Sequence, residues 1–257
     1  MKKEVSCGGL IYKYENCKRK YLLIQHVNGR HYGFPKGHVE QNEKRKETAL
    51  REIKEETNLD AYIIGNYYKT VSYSPKVNVM KDVIYFIAKT IDGKISKQDS
   101  EILNMQWSTL EQGLNLLNFD NDKFILKQTD KKINNIEKDI NPFLMSHVEK
   151  QILPQYQAYD KAHHIDHIYD VIYDALKIAD DYEVNRSMIY AIAAYHDIGL
   201  KFGRETHHIT SGEILEKDEI INDLFSQDEI NIMKEAIFDH RASHDHKPRT
   251  IYGLILA

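Results

Sequence analysis

The 257-residue sequence is poor in cysteine, proline and tryptophan, with two, five and one of these residues respectively. Two cysteines, Cys7 and Cys17, are too few for a disulfide framework or a thiolate zinc site. No apolar run approaches the roughly 18 residues that a membrane span needs. The N-terminus leads into a strand-like stretch and not into a signal sequence. We therefore expect a cytoplasmic protein without a membrane partner.

Charges and histidines are distributed unevenly along the chain. Residues 1–140 carry 24 lysines and arginines against 19 acidic residues, whereas residues 141–257 carry 11 against 20. Three of the 13 histidines precede residue 141 and ten follow it. A mildly basic half suits a polyanionic ligand, and an acidic, histidine-rich half suits divalent cations. At about 100–200 residues per domain, the length predicts two domains, and the asymmetry predicts different roles for them.

The pattern of apolar residues changes from strands in the first half to helices in the second. Segments rich in β-branched residues and tyrosine predict strands at 4–14, 21–27, 62–74 and 77–88. The charged segment 43–57 has apolar residues at helical spacing, which predicts an amphipathic helix. A turn is expected at 91–94, followed by helices at 110–117 and 120–136. The second half predicts helices at 142–159, 163–180, 186–196, 207–223 and 228–241. The polar stretch before Pro142 places the predicted domains at 1–137 and 138–257.

Three glutamates crowd one face of the predicted 43–57 helix. Glu52 precedes Glu55 by three residues and Glu56 by four, which brings their side chains together on a helix. Magnesium relieves such crowding, because it prefers a few carboxylate oxygens together with substrate phosphates. Taken alone, the same residues are explained as well by a solvated helix face.

The wider spacing around these glutamates resembles the Nudix box. Gly37 is followed after five residues by Glu43 and after seven more by the run Arg51-Glu52-Ile53-Lys54-Glu55-Glu56. The match departs from the family at Asn58, where a glycine is usual. Asparagine is the best non-glycine residue in a left-handed C-cap, so we expect the turn to be kept. The resemblance implies an α/β/α sandwich with a mixed sheet, and Mg²⁺ or Mn²⁺ held by Glu52, Glu55 and Glu56.

Three further segments resemble the asymmetrical bis(5'-nucleosyl)-tetraphosphatase branch of the Nudix family, over about residues 1–137. They are residues 29–40 (GRHYGFPKGHVE), 72–75 (SYSP) and 119–123 (FDNDK). This resemblance implies attack of water on a phosphorus of the polyphosphate bridge, which splits diadenosine tetraphosphate into ATP and AMP. Because the box is common to the family, action on nucleoside triphosphates or on RNA 5' ends stays open.

The same resemblance assigns roles to side chains outside the box. Glu101 matches a further glutamate of the family, as base or extra metal ligand, although an ordinary loop carboxylate explains it as well. His31 and Lys36 are expected to contact phosphates. Tyr73 is expected to stack on adenine, although most of the 17 tyrosines must serve packing. The small, unclustered basic excess predicts no stable complex with nucleic acid.

The histidines of the second half fall at defined places. His196-Asp197 ends the most apolar predicted helix, and burying both without a partner would be costly, so a metal is the usual compensation. Over residues 142–257 the pattern resembles the HD superfamily of metal-dependent phosphohydrolases, in members with one or two metals. The resemblance implies an all-α domain holding Mn, Fe, Mg or Zn, the choice among them staying open. The expected ligands are His167, His196, Asp197, His208 and His240.

Two features limit what is expected of this second site. The remaining histidines are interpreted as lying behind the ligands or on the surface: His163, His164, His207, His244 and His246. The superfamily also needs a later Asp on a downstream helix, and the sequence stops at Ala257 before one occurs. We expect either a truncated HD domain or a site that lacks one ligand, with weak or absent turnover. A nucleotide-responsive binding protein with an inactive HD site is the alternative, and the sequence predicts neither the HD substrate nor the oligomeric state.

Overall fold

A computed structural model describes residues 2–90, 95–96, 100–159, 164–240 and 247–256. The chain divides into two compact units, Met1–Asn134 and Asn135–Ala257. The first unit combines strands with helices and the second is helical, which confirms the predicted α+β class. The predicted boundary at 137/138 lies a few residues beyond this division. The predicted turn at 91–94 and His163, His244 and His246 lie outside the described residues.

In the described part of the first unit, seven strands form one mixed sheet. They are β1 (Lys2–Glu15), β2 (Lys18–His26), β3 (Tyr32–Gly33), β4 (Lys36–His38), β5 (Tyr62–Lys76), β6 (Val79–Lys89) and β7 (Ile102–Ser108). The order along the sheet is β3-β2-β1-β6-β5, and β4 and β7 pair with β1 and β2. Only β1 and β6 run parallel among the described pairs. Residues 6–12 of the central strand β1 are buried without a break, so both faces of the sheet are covered there.

Three helices belong to this unit: α1 (Arg45–Thr57), α2 (Leu110–Leu116) and α3 (Asp120–Ile136). Helix α1 packs on the sheet through Ala49 and Ile53, which lie in two apolar clusters with β1 and β6. The helix ends at Asn58, whose φ of 61° and ψ of 9° are left-handed and whose N–H bonds to the Lys54 carbonyl. The predicted left-handed C-cap is therefore confirmed, and the carboxylates of α1 stand on a rigid support.

The second unit contains α4 (Pro142–His147), α5 (Ile165–Ile178), α6 (Arg186–Tyr195), α7 (His207–Lys217), α8 (Glu219–Leu224), α9 (Gln227–Asp239) and α10 (Ile251–Leu256). Helix α6 is buried on every side and forms the centre of this unit, as its apolar sequence requires. Of the helices described, none combines the length and the apolar character that crossing a membrane requires.

Two helices predicted as continuous are interrupted. The segment 142–159 begins as α4 and continues as a π turn and a 3-10 turn, with Pro154 near the start of the latter. Proline has no N–H to donate to the preceding turn, so the α-helical ladder cannot continue through it. The segment 207–223 is divided at Asp218, whose carboxylate accepts hydrogen bonds from the N–H groups of Ile220 and Ile221 and starts α8.

Candidate active sites

Arg51, in the middle of α1, holds the carboxylates of the box together. Its Nε and Nη2 donate to the two carboxylate oxygens of Glu43 at 2.9 and 3.1 Å. Its Nη1 donates to Glu52 at 2.7 Å and to Glu55 at 3.0 Å. The hydrogen bonds from Arg51 lower the pKa of Glu43 to about 2. Glu43 therefore stays anionic and, through Arg51, ties the preceding loop to the helix.

Gly37 on β4 lies against the carboxylate of Glu52. A Cβ at this position would stand 1.9 Å from Glu52 Oε1, far inside van der Waals contact. Only glycine therefore lets the Glu52 carboxylate lie flat on this strand. The glycine that opens this sequence motif is thus explained by its contact with a carboxylate of the same motif.

Glu56 is the most buried of the box carboxylates, with 3% of its surface exposed. Its Oε2 accepts a hydrogen bond of 3.0 Å from the backbone N–H of Lys36. Burial raises the pKa of Glu56 to about 8, although Lys36 opposes the rise through its charge and this hydrogen bond. An ionised Glu56 is therefore costly unless positive charge compensates it.

Glu101 lies just before β7, where its carbonyl accepts a hydrogen bond of 2.7 Å from the N–H of Val27. Burial raises the pKa of Glu52, and the charges of Glu55 and Glu101 add to the rise. The charge of Glu101 also raises the pKa of Glu56, so its carboxylate lies near both Glu52 and Glu56. Among the described residues, these carboxylates do not form a group with donor atoms within 4.8 Å of one another.

A cavity of about 390 Å³ in the first unit is lined by all three predicted substrate-binding residues, His31, Lys36 and Tyr73. Its apolar walls include the rings of Phe34 and Tyr85, which meet edge to face. Lys36 connects the cavity to the box, because its side chain lines the cavity while its N–H bonds to Glu56. The structure therefore brings the predicted substrate residues together beside the carboxylates.

Four further residues of this cavity were not predicted as site residues: His26, Phe119, Asn121 and Asp122. The ring of His31 lies 5.0 Å from that of His26 and 5.1 Å from that of Phe119. The last three lie in the segment 119–123 that matched the tetraphosphatase branch, so a sequence signal for them existed. No motif pointed to His26, which reaches the cavity from the end of β2.

In the second unit, Asp197 lies at the centre of a cluster of histidines. His196 and Asp197 follow α6 directly and are 4% and 5% exposed. Asp197 Oδ2 lies 3.3 Å from His196 Nε2, and Oδ1 lies 3.4 Å from His207 Nε2 and 3.3 Å from His240 Nε2. Burial opposes the charge of Asp197, but His196 and His240 outweigh burial and hold its pKa well below its ordinary value.

Three of these imidazoles are oriented in the same way. Nδ1 bonds to the carbonyl three residues earlier in each case, from His196 to Ala193, from His207 to Arg204 and from His240 to Ile237. A carbonyl oxygen only accepts, so Nδ1 carries the proton and Nε2 of a neutral ring offers a lone pair to the cluster. Such backbone bonds are the usual support of metal-binding histidines.

The acceptor atoms of this cluster lie unusually close together. Nε2 of His207 lies 3.3 Å from Nε2 of His240, and both face the carboxylate of Asp197. Where a ring is neutral with its proton on Nδ1, its Nε2 lone pair and the carboxylate repel each other at these distances, and a second proton on the ring replaces the repulsion by the attraction that lowers the pKa of Asp197. A divalent cation relieves this repulsion, and imidazole and carboxylate suit several such ions. The donor set therefore fits a metal site.

The ligand atoms fall into two groups that share Asp197, each within 4.8 Å: His167, His196, Asp197 and Asp197, His207, His240. Of the five predicted ligands, the structure brings His167, His196, Asp197 and His240 together. The fifth, His208, is in neither group and packs its ring 5.0 Å from that of Phe238. His207, which was expected to lie behind the ligands or on the surface, joins Asp197 and His240 where His208 was expected.

Two family models match the chain: the NUDIX domain at residues 9–128 and the HD domain at residues 165–257. A bis(5'-nucleosyl)-tetraphosphatase [asymmetrical] of Sus scrofa is 36% identical over 134 residues, 48% of this chain and 90% of that protein. The Mus musculus protein of that name is 34% identical with the same coverage. The crystal structure of a C. elegans Ap4A hydrolase binary complex matches with a TM-score of 0.48 and 27% identity, over 51% of this chain and 97% of that chain.

The fold of the first unit and these relatives define a hydrolase that acts on acid anhydrides in phosphorus-containing compounds. The chain belongs to the Nudix family, and residues 165–257 of its second half match the HD domain model.

Proposed function

We propose that the first unit is a magnesium-dependent hydrolase of dinucleoside polyphosphates that splits diadenosine tetraphosphate into ATP and AMP. The position of Lys36 carries this proposal, because its N–H bonds to Glu56 while its side chain lines the aromatic cavity. A polyphosphate bound by Lys36 would reach the carboxylates of the box while its base enters the cavity. The relatives named as asymmetrical tetraphosphatases support the same substrate class.

Glu52, Glu55 and Glu56 would hold the magnesium ions. The donor set fits, because all three offer hard carboxylate oxygens and the raised pKa of Glu56 reflects a need for compensating positive charge. When bound, magnesium would polarise phosphate oxygens and lower the pKa of the attacking water. Glu101 lies near these carboxylates and is exposed, which suits a group that accepts the proton of this water or adds a ligand.

The cavity residues would bind the rest of the substrate. Lys36 supplies a positive charge to the phosphates. Burial and the charge of Lys36 lower the pKa of His31, so it contributes hydrogen bonds and not a second charge. Tyr73, which is 38% exposed at the cavity wall, offers a ring face on which a base can stack.

The test is hydrolysis of diadenosine tetraphosphate in magnesium buffer, with products separated by ion-exchange chromatography. We expect equal amounts of ATP and AMP, and a loss in Glu56→Gln of about 100-fold or more in kcat. Glu47→Gln is the matched control on the same helix, because glutamine still accepts the capping hydrogen bond from the Lys44 N–H. Two ADP, or turnover of nucleoside triphosphates or triphosphorylated RNA alone, would contradict the proposal.

For the second unit we propose a metal-dependent phosphohydrolase of unidentified substrate. The two groups of ligands that share Asp197 support a site for one or two divalent ions, held by His167 and His196 on one side and by His207 and His240 on the other. When bound, such ions would activate water and neutralise a phosphoester.

Titration calorimetry with Mn²⁺ tests this second site on the full chain. Asp197→Asn should weaken Mn²⁺ binding at least tenfold, whereas His164→Asn, a change at a partly exposed histidine outside both ligand groups, should not. Hydrolysis of bis(p-nitrophenyl) phosphate that Asp197→Asn abolishes would support catalysis. Metal binding without turnover of this ester or of nucleotides would favour the alternative, a nucleotide-responsive binding protein with an inactive HD site.

A further inference from the structure

Two polar side chains of the aromatic cavity have no part in the proposed hydrolysis. His26 ends β2 and Asp122 lies in the first turn of α3, and both line the cavity. They face one point, because a Cβ built on Gly33 would lie 3.6 Å from His26 Nε2 and 3.8 Å from Asp122 Oδ2. Two polar groups thus converge on one wall of a cavity whose other walls carry flat aromatic rings.

Within the described part of the chain, neither of these groups is satisfied by the protein. His26 Nε2 is buried and has no hydrogen-bond partner there. No described group donates a hydrogen bond to the carboxylate of Asp122. A buried polar atom such as His26 Nε2 is normally hydrogen-bonded, whereas Asp122 is partly exposed and accessible from the cavity, so a ligand that presents matching groups at this wall would be favoured.

The charge states of His26 and Asp122 define which groups of a ligand can bond to them. Burial, with the charges of Lys36 and His31, lowers the pKa of His26 to about 3, so its ring is neutral. Burial raises the pKa of Asp122 to about 6, against the effect of Lys36, so above neutral pH it is an anion that only accepts hydrogen bonds. A ligand that fits this wall therefore offers N–H donors to the Asp122 carboxylate and one hydrogen-bonding group to the neutral imidazole of His26.

We propose that Asp122 reads the edge of the base in this cavity and that the cavity prefers guanine to adenine. The N1–H and 2-amino groups of guanine can bond in parallel to one carboxylate. The corresponding edge of adenine offers one amino group beside the acceptor N1, which repels a carboxylate. His26 donates to O6 or N7 when its Nε2 carries the proton. The inference rests on the proposed function in placing a base here, and it makes diguanosine tetraphosphate a better substrate than diadenosine tetraphosphate.

The first test compares kcat/KM for these two tetraphosphates. We expect the wild type to favour the guanine substrate about 10- to 100-fold, the range that a bidentate contact to a base supplies. Asp122→Asn should abolish or reverse the preference, because an amide pairs one donor and one acceptor with adenine. Asp120→Asn is the matched control, since it makes the same charge change in the same turn at an exposed residue outside the cavity. Equal rates in the wild type, an adenine preference, or an equal loss on both substrates in Asp122→Asn would overturn the inference.

A binding measurement separates this inference from the proposed function. With magnesium present, Glu56→Gln should bind GTP more tightly than ITP, which lacks the 2-amino group, and ITP more tightly than ATP. Fluorescence melting of the single tryptophan, Trp107, checks that each variant is folded. If neither tetraphosphate is hydrolysed, the proposed function fails, yet the order of binding still decides the base preference. Equal affinities for GTP and ATP would refute the role of Asp122.

Discussion

Burial of the Glu56 carboxylate makes the stability of the first unit depend on pH. Its pKa is raised from an ordinary value of 4.5 to about 8, with burial as the main cause. Between these values the folded state binds a proton that the unfolded state has released. Stability therefore falls as the pH rises through this range, because folding must then keep a proton bound or bury a charge.

The size of the effect follows from the two pKa values. Each pKa unit corresponds to about 1.36 kcal/mol. A rise from 4.5 to about 8 therefore lowers the unfolding free energy by on the order of 5 kcal/mol once the pH exceeds both values. Glu56→Gln removes the titration, keeps the shape and still accepts the Lys36 N–H. In metal-free protein we expect this variant to gain roughly 2–5 kcal/mol in unfolding free energy relative to the wild type between pH 5 and pH 9.

Urea unfolding followed by tryptophan fluorescence measures this difference. Trp107 is the single tryptophan and lies on β7, so the signal reports the first unit. EDTA keeps the protein metal-free, and Glu47→Gln should follow the wild type at every pH. A constant difference between wild type and Glu56→Gln from pH 5 to pH 9 would refute the reasoning, because it would mean that Glu56 titrates alike in the folded and unfolded chain.

Three further predictions concern single positions. Gly37→Ala should lower kcat/KM in the diadenosine tetraphosphate assay about 100-fold or more, since the new Cβ displaces the Glu52 carboxylate. A kcat/KM near that of the wild type would contradict this prediction. His207→Ala should reduce Mn²⁺ affinity in calorimetry by about tenfold or more and His208→Ala by less, and the reverse order would show that the neighbouring ring is the ligand. Asp218→Ala should cost about 1–3 kcal/mol in helical stability by circular dichroism, because it removes the α8 cap and two side-chain partners, and an unchanged midpoint would contradict this.

The fold followed from local patterns where those patterns were strong. The long strands β1, β2, β5 and β6, the amphipathic helix α1 and its Asn58 cap were predicted, because period, propensity and capping act over a few residues, whereas β3, β4 and β7 were not among the predicted strands. The interruption of the segment 142–159 was not predicted, because its apolar residues are spaced as in one continuous helix. Proline lacks the N–H that the ladder needs, so Pro154 explains why α-helical bonding does not resume there, but the π turn already begins at Val148.

The box carboxylates and the cavity beside them differ in how far the sequence could predict them. The box carboxylates lie on one helix, so their spacing alone brings them together. The cavity draws His26 from β2, Tyr73 from β5 and Asp122 from α3. His26 and Tyr73 reach one cavity because β2, β1, β6 and β5 are neighbours in the sheet, and Asp122 reaches it from the start of α3. No local pattern carries such pairings, and only the resemblance pointed to Tyr73 and to segment 119–123.

The second site shows why one of two adjacent histidines was assigned differently by sequence and structure. Neighbouring residues on a helix point about 100° apart, so only one of His207 and His208 can face Asp197. The ligand-like rings share a local support, a bond from Nδ1 to the carbonyl three residues back. For His196 and His240, which cap α6 and α9, that carbonyl belongs to the last turn, where carbonyls lack helical partners. A helix end therefore fixes the tautomer and turns Nε2 outward. His207 obtains the same support from the turn before α7, whereas His208 packs against Phe238. The ring that faces Asp197 is thus decided by which histidine finds an unpaired carbonyl, and the spacing of the histidines alone does not contain this choice.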